Sequence, residues 1–365
     1  MLPRNAELWL PGLIASRWKR SRETPAASCV DIFFCIADHF EPACMQAPLA
    51  TQQARVATWT EHLPRLAEQF RDVDGRPPQH TFFYPEEQYH PSHLEALARL
   101  CVSGVGEVEI HLHHHADTAA GLRDKLERFK NRLVGHGLLC HDRRDEQSRY
   151  AFIHGDWALD NSRRDGRLCG VNNELSILRE TGCYADFTMP SAPSDTQTRQ
   201  VNSICYATDD PDRPKSHDHA VAVEVGRPPS GDLLLIQGPL ALDWQSRKWG
   251  LLPRLENGSL HGVNPPTGER FRLWVEAGIS VIGRPEWVFV KVYTHGAIEE
   301  NAAMLLGPTM ERFHLEIGRR FNDGRRYRLH YVTAREMANL VCAAEAGEQG
   351  DPNRFRDYRL VRTAT

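Results

Sequence analysis

No stretch of this 365-residue chain reaches the roughly 18 consecutive apolar residues that a membrane-spanning helix requires. A basic excess is missing too: 44 Lys and Arg stand against 48 Asp and Glu, a net charge of -4. That balance offers no broad positive surface to nucleic acid or anionic lipid. The nine cysteines include no C-x-x-C pair and their number is odd, which argues against a disulfide framework and for reduced thiols. The N-terminal residues lack a basic segment followed by an apolar core, since the apolar stretch 8–14 is short and interrupted by Pro11. A cytoplasmic protein with neither membrane nor nucleic-acid partners is expected. Internal repeats and low-complexity segments are absent as well.

What the chain does contain is an alternation of short apolar runs with longer helical patterns. Runs of strand length and composition occupy 30–37, 80–85, 107–112, 150–154, 184–190, 232–237, 287–293 and 327–332. Helical spacing fills roughly 51–70, 92–101, 117–133, 172–181, 271–277, 301–321 and 334–346, with Asp117 and Thr333 placed as N-caps. The sustained β-then-α order predicts an α/β fold, a (β/α) barrel of seven or eight mostly parallel strands with helices outside. Residues 1–28 read as an irregular lead-in and 29–347 as one barrel domain. A long polar insertion falls at about 191–231, and 348–365 reads as a C-terminal tail.

Four histidines, His111, His113, His114 and His115, fall at the end of the third run. Imidazole is the commonest protein ligand for transition metals. Other runs end in Asp38 and His39, in Glu86 and Glu87, in His154 with Asp156, and in His295, while Asp186 lies within the fifth run. Parallel α/β proteins gather their chemistry where strands stop, so these groups are expected on one face. A carboxylate with two imidazoles suits Zn²⁺ or another divalent first-row metal. His111 and His115 can grip one ion if the strand turns into helix between them. His111 and His113 instead point the same way from an extended strand, and spacing alone does not choose.

Several segments resemble NodB-type polysaccharide deacetylases (carbohydrate esterase family 4). Ile36-Ala37-Asp38-His39 stands where that family has T-F-D-D, and His80-Thr81-Phe82-Phe83 is similar to its A-T-F-F. Gly106-Glu107-Val108-Glu109-Ile110-His111, with His115 four residues on, resembles the approach to its H-[ST]-x-x-H motif. Val290-Lys291-Val292-Tyr293-Thr294-His295 looks like its L-x-H motif, and Thr333 to Glu336 resembles its closing Thr-x-x-Glu. The matches span roughly residues 30–340. Three departures stand out: His39 replaces the second aspartate, Leu112 replaces the Ser or Thr, and the segment 152–157 occupies the place of an arginine-containing motif.

The resemblance implies a barrel distorted as in that family and a metal-dependent hydrolase that removes acetyl groups from N-acetylated sugars or polysaccharide. It implies a divalent cofactor, Zn²⁺, held by Asp38, His111 and His115, which would polarise an acetamido carbonyl and activate water. Asp38 or His39 would act as base and His295 as general acid. Glu86, Tyr89, Asp156, Trp157 and Asp186 are the expected carbohydrate-binding residues. Three rival readings are a glycan-binding protein on the same barrel, a phosphoesterase-like or amidohydrolase-like enzyme using His111-x-His113, and a glycoside hydrolase using Glu86 or Glu87 with Asp186.

Overall fold

A computed structural model describes residues 3–23 and 29–362. The chain runs α1 (Ala6–Glu23), β1 (Val30–His39), α2 (Leu49–Ala67), β2 (His80–Pro85), α3 (Pro91–Val102), β3 (Gly106–Leu112) and α4 (Ala119–Gly135). It continues with β4 (Cys140–Asp142), β5 (Ser148–His154), α5 (Glu174–Glu180), β6 (Cys183–Asp186), β7 (Ile204–Ala207), β8 (Val221–Ala222) and β9 (Leu233–Ile236). Then come β10 (Ala241–Lys248), β11 (Leu252–Glu256), β12 (Ser259–Leu260), α6 (Gly268–Ala277), β13 (Trp287–Thr294) and α7 (Glu299–Leu305). The last elements are α8 (Pro308–Phe321), β14 (Tyr327–Tyr331), α9 (Ala334–Glu345) and β15 (Leu360–Arg362).

These elements form a mixed α/β protein around a large, mostly parallel central sheet in the order β12-β13-β1-β2-β3-β5-β6-β9-β7-β8. β1 is its middle. Ile32, Phe34 and Ile36 point into a helix-covered core, while Phe33, Cys35 and Ala37 point into a second core on the other face. Burial on both faces is why this run is continuously apolar rather than alternating. α9 lies against that second core with eleven of its twelve residues buried, started by a capping box between Thr333 and Glu336. Beyond the sheet order, Phe289 N–H donates to the Ile279 carbonyl (2.8 Å), Ile282 N–H to Val223 (2.9 Å) and Val223 N–H to Ile204 (2.9 Å). Those bonds link β13 toward β7 at the far end of the sheet.

All eight apolar runs form strands, and the differences lie in what surrounds them. The expected irregular lead-in contains helix α1, because Trp9 and Leu13, four apart on one helix face, bury against Ala192, Val201 and Leu240. The expected single helix at 301–321 is two, broken around Gly307, where Pro308 opens α8. The expected insertion supplies β7 and β8 to the sheet, and β10 with β11 forms a separate hairpin. The expected tail packs down as β15 against β4, with Arg356 buried beneath it. Thr118 rather than Asp117 caps α4, accepting from Gly121 N–H at 3.1 Å. Among the described residues no helix is long and apolar enough to cross a membrane.

The register places the chemistry. Asp38 pairs with Thr294, His39 with Phe83, Pro85 with His111, and Leu112 with His154. The C-terminal ends of β13, β1, β2, β3 and β5 are therefore level at one edge of the sheet.

Candidate metal centre

Asp38 and His39 are adjacent in β1, so their side chains leave on opposite faces. Asp38 is fully buried on the helix side, accepting from Gly296 N–H at 2.6 Å and lying 2.9 Å from Nε2 of His80. Trp59 Nε1 donates to the Gly296 carbonyl at 2.8 Å. Asp38 thus anchors the loop that carries His295. His39 faces the other way, its ring 4.8 Å from that of His295 and 5.0 Å from that of His111.

Glu41 is the hub. Its Oε1 lies 3.3 Å from His111 Nε2, 3.7 Å from His113 Nε2 and 4.0 Å from His295 Nε2. Donor atoms of His39, Glu41 and His295, and those of Glu41, His111 and His113, fall in two groups, each within 4.8 Å. His39 and His111 form the buried floor, while the side chains of His113 and His295 are 32% and 34% exposed, leaving the group open on one side.

The tautomers are set by what each ring touches from behind. Nδ1 of His111 is 2.8 Å from the Ile153 carbonyl, which can only accept, so Nδ1 carries the proton. In the neutral ring Nε2 is then a lone pair, buried, without a hydrogen-bond partner, and directed toward a carboxylate. Two acceptors face each other there. His113 repeats the pattern, with Nδ1 2.6 Å from Glu87 Oε1 and Nε2 toward Glu41. A carboxylate or carbonyl behind the imidazole, with the opposite nitrogen bare, is how metal-ligating histidines are held. The nitrogen and oxygen donors fit a divalent first-row ion.

The buried groups around Glu41 also shift one another's titration. Burial lowers His39 well below the usual imidazole range, and the neighbouring His295 and His111 lower it further. Burial pushes the Glu41 carboxyl up, but the surrounding imidazoles, His111 foremost, more than reverse this and hold it at about 2. Burial also lowers His295, with Glu41 and Asp38 partly offsetting it. Burial would lower His113 as well, but its bond to Glu87 and the charge of Glu41 raise it overall.

The segment after β5 forms one wall. Gly155 sits where a Cβ would come within 2.3 Å of the His113 ring, so the backbone there approaches as only glycine allows. Asp156 and Trp157 follow with φ of 54° and 55°, a left-handed conformation costing about 1–3 kcal/mol each. The strain turns the Trp157 ring onto Tyr293 (5.9 Å), His39 (6.0 Å) and His295 (6.3 Å), with its indole N–H buried and unpartnered.

Of the expected site residues, His39, His111 and His295 are brought together, with Trp157 beside them. The expected trio of Asp38, His111 and His115 is not assembled. The chain after β3 is irregular until α4 starts at Ala119, so positions four apart share no face, and His115 is exposed, its Nδ1 accepting from Leu168 N–H at 2.9 Å. Glu86 is held by Arg128 at 2.8 Å, and Tyr89 lies under the Arg132 guanidinium at 4.2 Å, both on the α4 side. Asp156 is exposed. Asp186 is buried and bonded to Thr188 (2.6 Å); burial pushes its carboxyl up to about 7, partly offset by that bond. Sequence reasoning missed Glu41 and the role of Glu87 behind His113. The signal was the period of two: His39 with Glu41, and His111 with His113, share a face wherever the chain stays extended.

Buried His, Cys and Glu clusters in this chain could hold a metal ion. Comparison with protein-family models and with curated proteins found no match to this chain.

Proposed function

We propose that this chain is a metal-dependent hydrolase with its ion held by Glu41, His111 and His113, and that it cleaves the acetamido group of N-acetylated carbohydrate. The observation that carries the first half is the bare, buried Nε2 of His111 facing the Glu41 carboxylate. The resemblance to NodB-type deacetylases motivates the second half. In this reading the bonds through 279–282 and 223–225 complete a distorted (β/α) barrel, with the metal centre at the C-terminal mouth.

When bound, a divalent ion such as Zn²⁺ supplies Lewis-acid polarisation of the substrate oxygen and activation of water. The chain's own groups do the rest. Glu87 holds the His113 tautomer, and the Ile153 carbonyl holds that of His111. His295, whose basicity burial lowers, would take a proton at Nε2 from the attacking water and pass it to the nitrogen of the departing amine. Asp38 is a positioning residue that fixes the His295 loop through Gly296. Trp157 offers an aromatic face to a sugar ring.

A second reading, metal-dependent phosphoester hydrolysis, is favoured by one feature: His111 and His113 both turn toward Glu41 as an H-x-H pair. The deciding experiment assays the purified protein on N-acetylglucosamine oligomers and on an aryl phosphate, before and after chelation. Acetate release abolished by chelation and restored by Zn²⁺ is expected. Chelator-resistant hydrolysis overturns the metal assignment, and phosphate release alone favours the second reading. Sugar binding without hydrolysis by metal-loaded protein identifies a glycan-binding protein.

A further inference from the structure

A second cluster lies behind the first, made by residues the proposed chemistry leaves unused. His114 follows β3, His154 ends β5, Cys169 lies in the loop after it, and Glu174 opens α5. All four are buried, and their donor atoms lie within 4.8 Å of one another. Glu174 Oε1 is 3.2 Å from His114 Nε2 and 3.4 Å from His154 Nε2, while Cys169 Sγ is 3.4 Å from Glu174 Oε2. Bonds of roughly 2.0–2.3 Å to a tetrahedral ion would set ligand-to-ligand edges of about 3.3–3.6 Å. The three spacings above lie close to that range, the Cys169 one measured to the other carboxylate oxygen, and every pair lies within 4.8 Å.

A proton does not explain the group as well as an ion does. His154 Nδ1 lies 2.6 Å from the Gly155 carbonyl and must donate to it, leaving Nε2 a buried lone pair without a partner, aimed at a carboxylate. A proton shared between His114 and Glu174 leaves that conflict in place; the Cys169 thiol donates to Glu174 Oε2, which also accepts from Asp160 N–H at 2.6 Å. Asp117 Oδ2 sits 3.2 Å from His114 Nδ1 without a hydrogen bond between them, and the ring meets Glu174 Oε1 through Nε2 at 3.2 Å. The cluster of Asp72, Asp74 and His330 is a useful contrast. There both imidazole nitrogens face carboxylates, Asp31 at 2.9 Å and Asp74 at 2.8 Å, and Arg356 adds a second cation. Protonation alone satisfies that cluster.

We infer that His114, His154, Cys169 and Glu174 form a closed, four-ligand structural site for a thiophilic divalent ion of the zinc class, separate from the Glu41 centre. Binding replaces the Cys169 S–H bond with a metal–sulfur bond and releases the proton to solvent. With all four positions taken by protein and no open coordination position, the ion ties the loop bearing His113 to β5 and α5. The inference does not depend on the hydrolase reading.

The test folds the full chain with Co²⁺ as the only divalent metal and reads the thiolate-to-cobalt charge-transfer band in the near ultraviolet. Wild type should show one equivalent of that band. Cys169→Ser should lose it entirely, whereas Cys29→Ser and Glu41→Gln should keep it. A folded, cobalt-loaded wild type without the band overturns the site, as does persistence of the band in Cys169→Ser. The wild-type spectrum decides even if the Cys169 variant does not fold, and Glu174→Gln, which keeps the thiol, should weaken cobalt binding at the thiolate at least tenfold.

Discussion

Glu41 and His111 face each other across 3.3 Å with the imidazole proton on the far nitrogen, bound to the Ile153 carbonyl. Two electron-rich atoms at that distance could hold a metal ion between them. The same relationship recurs at His113, which Glu87 holds from behind.

Glu87 is part-exposed, so its removal tests that support without emptying the core. Glu87→Gln should lower metal affinity about 10–100-fold, as loss of an outer-sphere partner does. His115→Ala should leave affinity unchanged. Competition against a chelating dye measures both, and a metal-free but folded His115→Ala protein would contradict a ligand set of Glu41, His111 and His113.

Gly155→Ala places a methyl group 2.3 Å from the His113 ring position. The ring must swing away. Metal affinity should drop at least as far as in Glu87→Gln, with circular dichroism retained. Unchanged affinity would mean that His113 is not a ligand.

His295 is assigned to proton transfer. His295→Ala should retain the ion by elemental analysis and lower kcat by about 10²–10⁴-fold. Loss of the metal together with turnover would make His295 a ligand instead.

Arg356 is buried among Glu336, Asp72 and Asp74 and donates to the Tyr331 carbonyl at 2.8 Å. Arg356→Met removes the one cation that faces all three carboxylates and should cost about 3–5 kcal/mol in urea denaturation. A loss under about 1 kcal/mol, the range of an exposed ion pair, would show that the C-terminal segment is dispensable.

Burial alone pushes His314 down to about 3, and its Nδ1 lies 2.9 Å from the Tyr331 hydroxyl. The folded state then disfavours a proton that the unfolded chain accepts below about pH 6.5. Its contribution is complete above that pH and declines as pH falls toward 3, by about 1.4 kcal/mol per pH unit. His314→Phe, in a pocket already lined by Phe70 and Phe313, should flatten the stability profile between pH 6 and 4 relative to wild type. Parallel profiles for the two proteins would refute the assignment.

The strands were readable because β1, β13 and most of β5 are buried on both faces and carry nearly continuous apolar runs, while β3 alternates Glu107, Glu109 and His111 with Val108, Ile110 and Leu112. Helix α1 was not readable, since its two anchoring residues, Trp9 and Leu13, bury only against partners nearly two hundred positions away. The grouping of side chains around Glu41 was hidden for a similarly physical reason. Choosing His115 over His113 required knowing whether the chain coils or stays extended after Leu112, and that depends on pairing with β5 and on the Leu168 loop.

From sequence alone follow the β/α alternation, the location of ionisable groups at strand ends, and a histidine-rich centre that includes His39, His111 and His295. Side-chain period and burial are local properties, and the residues display them directly. Only the tertiary structure makes Glu41 the hub, turns Asp38 away to hold the His295 loop, and gathers His114, His154, Cys169 and Glu174 into a second buried cluster. Those residues lie up to 60 positions apart, and only the packed sheet and its loops bring their donor atoms within reach of one another.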